Sequence, residues 1–234
     1  MRPVLLVLAM LALGAAPAAA QPGMMVEGVL GLGPKRVQLP PGPWRVLYQA
    51  TEPGRTAEGN MGTRTHRAVL VQERANQAAA LVIAHAAQEV GAAWNPFGIC
   101  VNANAIARQI QSAVRAALDC RGLVLVGSGR GANTPAYLNA LYDEGERRPG
   151  WIPPRWVSAQ FVVSEQMHMV SVEYRFAPNV FSPAAAGGAN WHEGARNAAQ
   201  TAFVERLNAW GVAVQAGLKR GLYGREPEPL PAAF

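Results

Sequence analysis

The chain has 234 residues, half of them apolar and 15% charged, which suits a packed core and excludes a disordered chain. Its formal charge is +6, from 21 basic residues spread along the chain without a dense run, which argues against a nucleic-acid-binding stripe. Only Lys35 and Lys219 are lysines; the other basic residues are arginines.

The N-terminus carries an export pattern. Met1-Arg2-Pro3 is basic, Val4 to Leu13 is an unbroken apolar run, and Pro17-Ala18-Ala19-Ala20 ends in small residues. A spanning helix needs roughly 20 apolar residues, about twice this run, so residues 1–20 read as a secretory signal peptide cleaved after Ala20. Loss of Arg2 with the leader lowers the charge from +6 to +5. The product is expected to be periplasmic or secreted, with no membrane span after cleavage.

Residues 21–224 read as a single domain. Val26 to Leu32 and Trp44 to Ala50 are short strands, separated by the stiff Leu39-Pro40-Pro41-Gly42-Pro43 turn, and Thr51 to Gly62 reads as a loop. Arg64 to Glu73 and Ala78 to Gln88 form a hairpin. With Ala75-Asn76 as its turn, Leu70 faces Leu81, Val69 faces Val82, and His66 falls opposite His85. Asn102 to Leu118 carries Ile106, Ile110 and Val114 on one stripe and reads as an amphipathic helix.

That helix conflicts with the two cysteines. Cys100 and Cys120 permit a single pairing, which an oxidising compartment favours and which would contribute roughly 3 kcal/mol. A helix from Ala103 to Leu118 is about 22 Å long, against a limit of about 7 Å between bonded Cα atoms. The helix is therefore short, Ile106 to Arg115, or the bond is absent.

Gly122 to Val126 reads as a strand, Gly127 to Gly131 as a loop, and Thr134-Pro135 as the cap of a helix ending near Glu146. Trp156 to Val163 and His168 to Phe176 form a second hairpin, with Val157, Ala159, Phe161 and Val163 facing Tyr174, Val172, Val170 and His168. Pro178 to Gly188 reads as a loop. Ala199, Phe203, Leu207, Trp210, Val214 and Leu218 then define a long C-terminal helix capped by Asn190 and stopped by Gly221. Residues 225–234 read as a Pro-rich flexible tail. The resulting class is α+β, a mainly antiparallel sheet of six or seven strands with about three helices on one face.

No local motif marks a reaction. Gly127-Ser128-Gly129-Arg130-Gly131-Ala132 fits a dinucleotide fingerprint variant, but the helix opens after the motif rather than inside it, so a Gly-rich turn is the better reading. Val126 and Arg130 occupy the outer glycine positions that a nucleophile elbow around Ser128 would need. His66 and His85 are the weak candidates for a metal, although two ligands are fewer than a catalytic zinc takes and a one-residue slip would separate them. His168 reads as a hydrogen-bonded core histidine, and His192 belongs to a weak cluster with Trp191 and Glu193. Trp94 and Trp151 lie beside prolines, where aromatics can line a peptide or glycan groove, although ordinary loop packing under a sheet edge is the better reading. No cofactor is implied. The expectation is a non-catalytic exported protein that binds an envelope component or a peptide. The alternative is a secreted hydrolase or metal-dependent enzyme whose residues assemble without a local motif.

Overall fold

The computed structural model describes residues 20–55, 61–88, 94–188 and 190–234. The residues before Ala20, expected to belong to a signal peptide, lie outside these. The strands are β1 (Met25–Val26), β2 (Val29–Leu32), β3 (Lys35–Gln38), β4 (Trp44–Arg55), β5 (Met61–Arg74), β6 (Gln77–Gln88), β7 (Ala107–Val114), β8 (Ala117–Gly127), β9 (Arg155–Glu165) and β10 (His168–Phe176). The helices are α1 (Asn139–Arg147), the single turns α2 (Pro178–Phe181) and α3 (Pro183–Ala186), and α4 (Ala198–Gly221).

Eight strands form one antiparallel sheet in the order β1-β4-β5-β6-β10-β9-β8-β7, and β2-β3 is a separate hairpin. The chain builds one half as the β4-β5-β6 meander. It then crosses to the far edge at β7 and winds back through β8, β9 and β10 until β10 closes on β6. The class is therefore the expected α+β domain with a long C-terminal helix, and the sheet holds one strand more than the expected maximum.

The extra strand is β7, where a helix was expected. Ile106, Ile110 and Val114 recur every four residues, a spacing that also returns to the same side of a strand with period two. Pairing with β8 decides between the two, and Ala116 turns the corner at φ 68°. The hairpin removes the conflict with the cysteines: Cys100 and Cys120 are bonded, with Cα atoms 5.3 Å apart. Cys100 ends a 3-10 turn (Gly98–Cys100), so the bond ties the crossover to β8 beside Ile99, Leu118 and Val162.

Both long hairpins depart in register from the simple pairing. In β5-β6 the turn is Ala75-Asn76, both at positive φ, as the two-residue connection requires. One further residue, Ala79, bulges out between the pairs Glu73↔Ala78 and Gln72↔Ala80. Beyond it every partner moves by one: Leu70 meets Val82, Arg67 meets His85, and His66 meets Ala86. In β9-β10 the turn lies at Gln166-Met167, and Val157, Ala159, Phe161 and Val163 pair with Phe176, Tyr174, Val172 and Val170. That is two residues from the expected register, so the same face stays apolar.

One sheet face carries α4. Phe203, Leu207, Trp210, Val214 and Leu218 pack with the β2-β3 hairpin onto Leu70, Val82, Phe161, Val172 and Tyr174. Rings of Phe161, Tyr174, Phe176 and Trp210 meet edge to face, Tyr174 against Trp210 at 5.1 Å. Gly221 allows the helix to sit on β3, because a Cβ there would lie 2.0 Å from the Arg36 carbonyl oxygen. The cap is Asn197, not Asn190: its side chain accepts from the Gln200 N–H (2.8 Å) while the Gln200 side chain accepts from the Asn197 N–H (2.9 Å). The C-terminal segment, expected to be free, packs here too. Leu230 and Ala233 are buried, Trp210 Nε1 donates to the Pro231 carbonyl (3.0 Å), and Phe234 stacks on Phe203 at 4.4 Å.

Among the described residues, the opposite face is covered only in part, and by a helix that was expected beside α4. Helix α1 and the preceding 3-10 turn bring Leu138, Leu141 and Tyr142 onto Val69, Val71, Leu81, Trp151 and Trp156. Arg45 and Arg148 each bridge Glu73 and Glu144, which locks α1 to β4 and β5. So the helices lie on both faces.

Candidate functional site: a polar strip on the open sheet face

Between the α1 cluster and the disulfide cluster, the second face turns polar. The alternation that buries Val170, Val172 and Tyr174 under α4 puts Ser171, Glu173 and Arg175 on the other side. Neighbouring strands add Gln160 and Ser158 from β9, His85 from β6, Arg67 from β5, and Tyr48 and Glu52 from β4. The result is a strip crossing five strands.

Its centre is an ion pair. Glu173 accepts from Arg175 Nε (2.8 Å) and Nη2 (3.2 Å), from Ser158 Oγ (2.7 Å) and from Gln160 Nε2 (3.4 Å). Burial works to raise the Glu173 carboxyl, but the Arg175 charge and these donors outweigh it and hold the carboxyl below its ordinary value. Arg175 is itself buried, and its partnership with Glu173 outweighs the cost of its desolvation.

The other end is aromatic and more exposed. Arg67 pairs with Glu52, donates from Nε to His85 Nδ1 (3.3 Å), and lies 5.3 Å from the centroid of the Tyr137 ring. Tyr137 meets the His85 ring edge to face at 4.9 Å, and Tyr48 donates to Glu52. Burial first, and the Arg67 charge second, push His85 down to about 4, so the imidazole is neutral at pH 7 and Nδ1 acts as an acceptor. Burial pushes the Tyr137 hydroxyl up. The side chains of Arg67 and Glu52 remain 30% and 34% exposed, so this end of the strip meets solvent.

The residues singled out in the sequence are dispersed. His85 is in the strip, but His66 lies on the other face, where its Nδ1 is 2.8 Å from Thr51 Oγ1 and its ring covers Gly33. The bulge at Ala79 thus separates the metal candidates, and among the described residues no three His, Cys, Asp or Glu side chains gather as ligands. His168 is hydrogen-bonded as expected: Lys35 Nζ donates to its Nδ1 at 2.7 Å, and Tyr223 packs on its ring. Lys35 is almost fully enclosed, and burial brings its ammonium down to about 8. His192 is exposed, its N–H donating to Asn190 Oδ1.

Among the described residues, both tryptophans fit the loop-packing reading. Trp151 is buried beneath Arg148, and Trp94 is half-buried with its Nε1 donating to the Met167 carbonyl (3.3 Å). The Gly-rich loop is a connector, as expected. Arg130 binds Asp143 and Glu146 of α1, and α1 opens only at Asn139, well beyond Gly131. This connector delivers Tyr137, which sequence reasoning missed. The Glu173–Arg175 pair was missed too, although its alternation with Val172, Tyr174 and Phe176 was legible.

No protein-family model, curated protein or solved structure matches this chain.

Proposed function

We propose that the protein is an exported, non-catalytic binding protein, periplasmic or secreted, that engages an envelope component or peptide through the strip. The observation that carries this reading is the half-open row of Glu52, Arg67, His85 and Tyr137 on the sheet face that lacks the long helix. A row of fixed donors and acceptors beside aromatic rings suits a polar ligand that supplies hydrogen bonds along its length. Export is supported by the apolar leader ending at Ala20 and by the Cys100–Cys120 bond, which an oxidising compartment maintains. Among the described residues, no helix is long and apolar enough to cross a membrane.

The test is affinity capture from envelope extract with three immobilised proteins: wild type, Arg67→Ala/Tyr137→Ala, and Val212→Glu on the exposed side of α4. The proposal expects a component retained by wild type and by Val212→Glu but not by the strip variant, with the strip variant still folded by circular dichroism. Equal capture by all three contradicts it. Export is tested by the mass of the purified natural protein, expected to start at Gln21; a cytosolic form retaining Met1 contradicts export.

A further inference from the structure

The tip of the β2-β3 hairpin, Leu32 to Lys35 with Gly33-Pro34 as its turn, is wedged between the sheet and the end of α4. Gly33 lies on the His66 ring, where a Cβ would come within 2.3 Å of Nε2. Gly224, just past α4, lies on the Pro34 carbonyl oxygen, 2.7 Å from where its own Cβ would stand. Between these contacts Lys35, 2% exposed, reaches His168 of β10, and Tyr223 meets the same imidazole edge to face at 5.1 Å.

Lys35 is set apart by how little holds it. Among the described residues its Nζ makes one hydrogen bond, to His168 Nδ1 at 2.7 Å, and no ion pair. Burial lowers Lys35 only to about 8, so it is an ammonium at neutral pH. An ammonium has donors and no lone pair, so His168 Nδ1 is the acceptor and the imidazole proton sits on Nε2. An imidazolium carries a hydrogen on both nitrogens and accepts nothing. One proton on His168 therefore removes the sole partner of an enclosed charge and sets a second positive charge beside it.

The surroundings do not compensate. Facing the pair are Arg64 and His66 of β5, the neutral Gln88 of β6, Glu165 of β9 and Tyr223. Glu165 is the one carboxylate among them, and the Tyr223 hydroxyl already donates to it. The nearby cations Arg36, Lys219 and Arg220 are committed to Glu226, Asp119 and Glu228. Burial first, and the Lys35 charge after it, hold His168 below its ordinary 6.5. A lifted hairpin restores the ordinary value, so the open form takes up the proton first as pH falls, and closure is complete only above about 6.5.

We propose that this contact is an acid-operated latch: protonation of His168 expels the Lys35 ammonium, and the hairpin tip lifts from the sheet together with Tyr223 and Gly224. Opening uncovers Leu32 and Val37, which the closed hairpin keeps buried.

The test is hydrogen exchange of the purified protein at about pH 7 and about pH 5, with protection of the Gly31 to Val37 amides corrected for the intrinsic pH dependence of exchange. The proposal expects wild type to lose about tenfold more protection there than His168→Gln, whose side-chain oxygen accepts from Lys35 at either pH. Lys35→Met is expected to abolish this excess, and His66→Gln to keep most of it. If His168→Gln or Lys35→Met does not fold, the imidazole 15N shifts of wild type decide. His168 Nδ1 is expected to carry no proton at about pH 7, and hairpin protection to fall as His168 titrates. Equal loss in wild type and His168→Gln, an excess that survives Lys35→Met or vanishes in His66→Gln, or a protonated Nδ1 at neutral pH overturns the latch.

Discussion

The two faces of the sheet are made by the same strands and solve opposite problems. Under α4, side chains such as Val172, Tyr174, Phe161 and Trp210 are apolar, aromatic and dry, and the helix, the β2-β3 hairpin and the C-terminal segment cover them. One residue along each strand, Arg67, His85, Glu173 and Arg175 occupy positions that a buried apolar core would fill with aliphatics. The first face stabilises through excluded water and the second through mutual satisfaction of charges. The proposed function puts the ligand on the polar face, the one that the long helix leaves uncovered.

The largest effect should come from the dry face. Trp210→Ala opens a cavity among Phe161, Tyr174 and Phe176 and strands the Pro231 carbonyl; a loss of about 4 kcal/mol is expected in urea unfolding. On the polar face, Glu173→Ala leaves Arg175 buried without its partner and should cost roughly 3 kcal/mol. Adding Arg175→Met should recover much of that loss; a double variant as unstable as the single would show that the pair is not what stabilises this face. Cys100→Ala/Cys120→Ala should lower stability by about 3 kcal/mol, chiefly by freeing the crossover, and the loss should be matched by adding reductant to wild type.

Acid and alkali separate the faces further. In the strip, His85 titrates near 4 folded and near 6.5 unfolded, so the unfolded chain takes up the proton first as pH falls. The contribution of His85 is complete above about 6.5 and is lost toward 4, a change of about 2 kcal/mol after allowance for its partial exposure, and His85→Gln should flatten it. Under the hairpin the sign is the same, but the window lies at higher pH. Lys35 titrates near 8 folded against an ordinary 10.5, so confining its ammonium costs stability below 8, and that cost is relieved as pH rises toward 10.5. Thermal melts from pH 8 to 10 should therefore show a small gain in wild type that Lys35→Met lacks.

Much of the frame was legible in the sequence. The C-terminal helix, both central hairpins and the turn at Ala75-Asn76 all follow from periodicity and turn chemistry. What was not legible depends on pairing between distant segments. The stripe at Ile106, Ile110 and Val114 suits a helix or a strand equally, and only β8, itself held by β9, selects the strand. The bulge at Ala79 leaves no mark in a run of alanines, yet it exchanges His66 for Arg67 as the partner of His85. Strand β3, with Lys35, Arg36, Val37 and Gln38, holds one apolar residue, too few to show an alternation, and it lies under α4 at Gly221. Tyr137 reaches the strip only because the connector crosses the sheet, a path that no local pattern encodes.

The most direct test of the division between the faces is hydroxyl-radical footprinting of the mature protein, alone and with envelope extract. Protection confined to Tyr48, His85 and Tyr137, with Val212 and the outer side of α4 unchanged, is the result expected of a binding strip. Protection centred on α4, with the three strip residues unaffected, would contradict it.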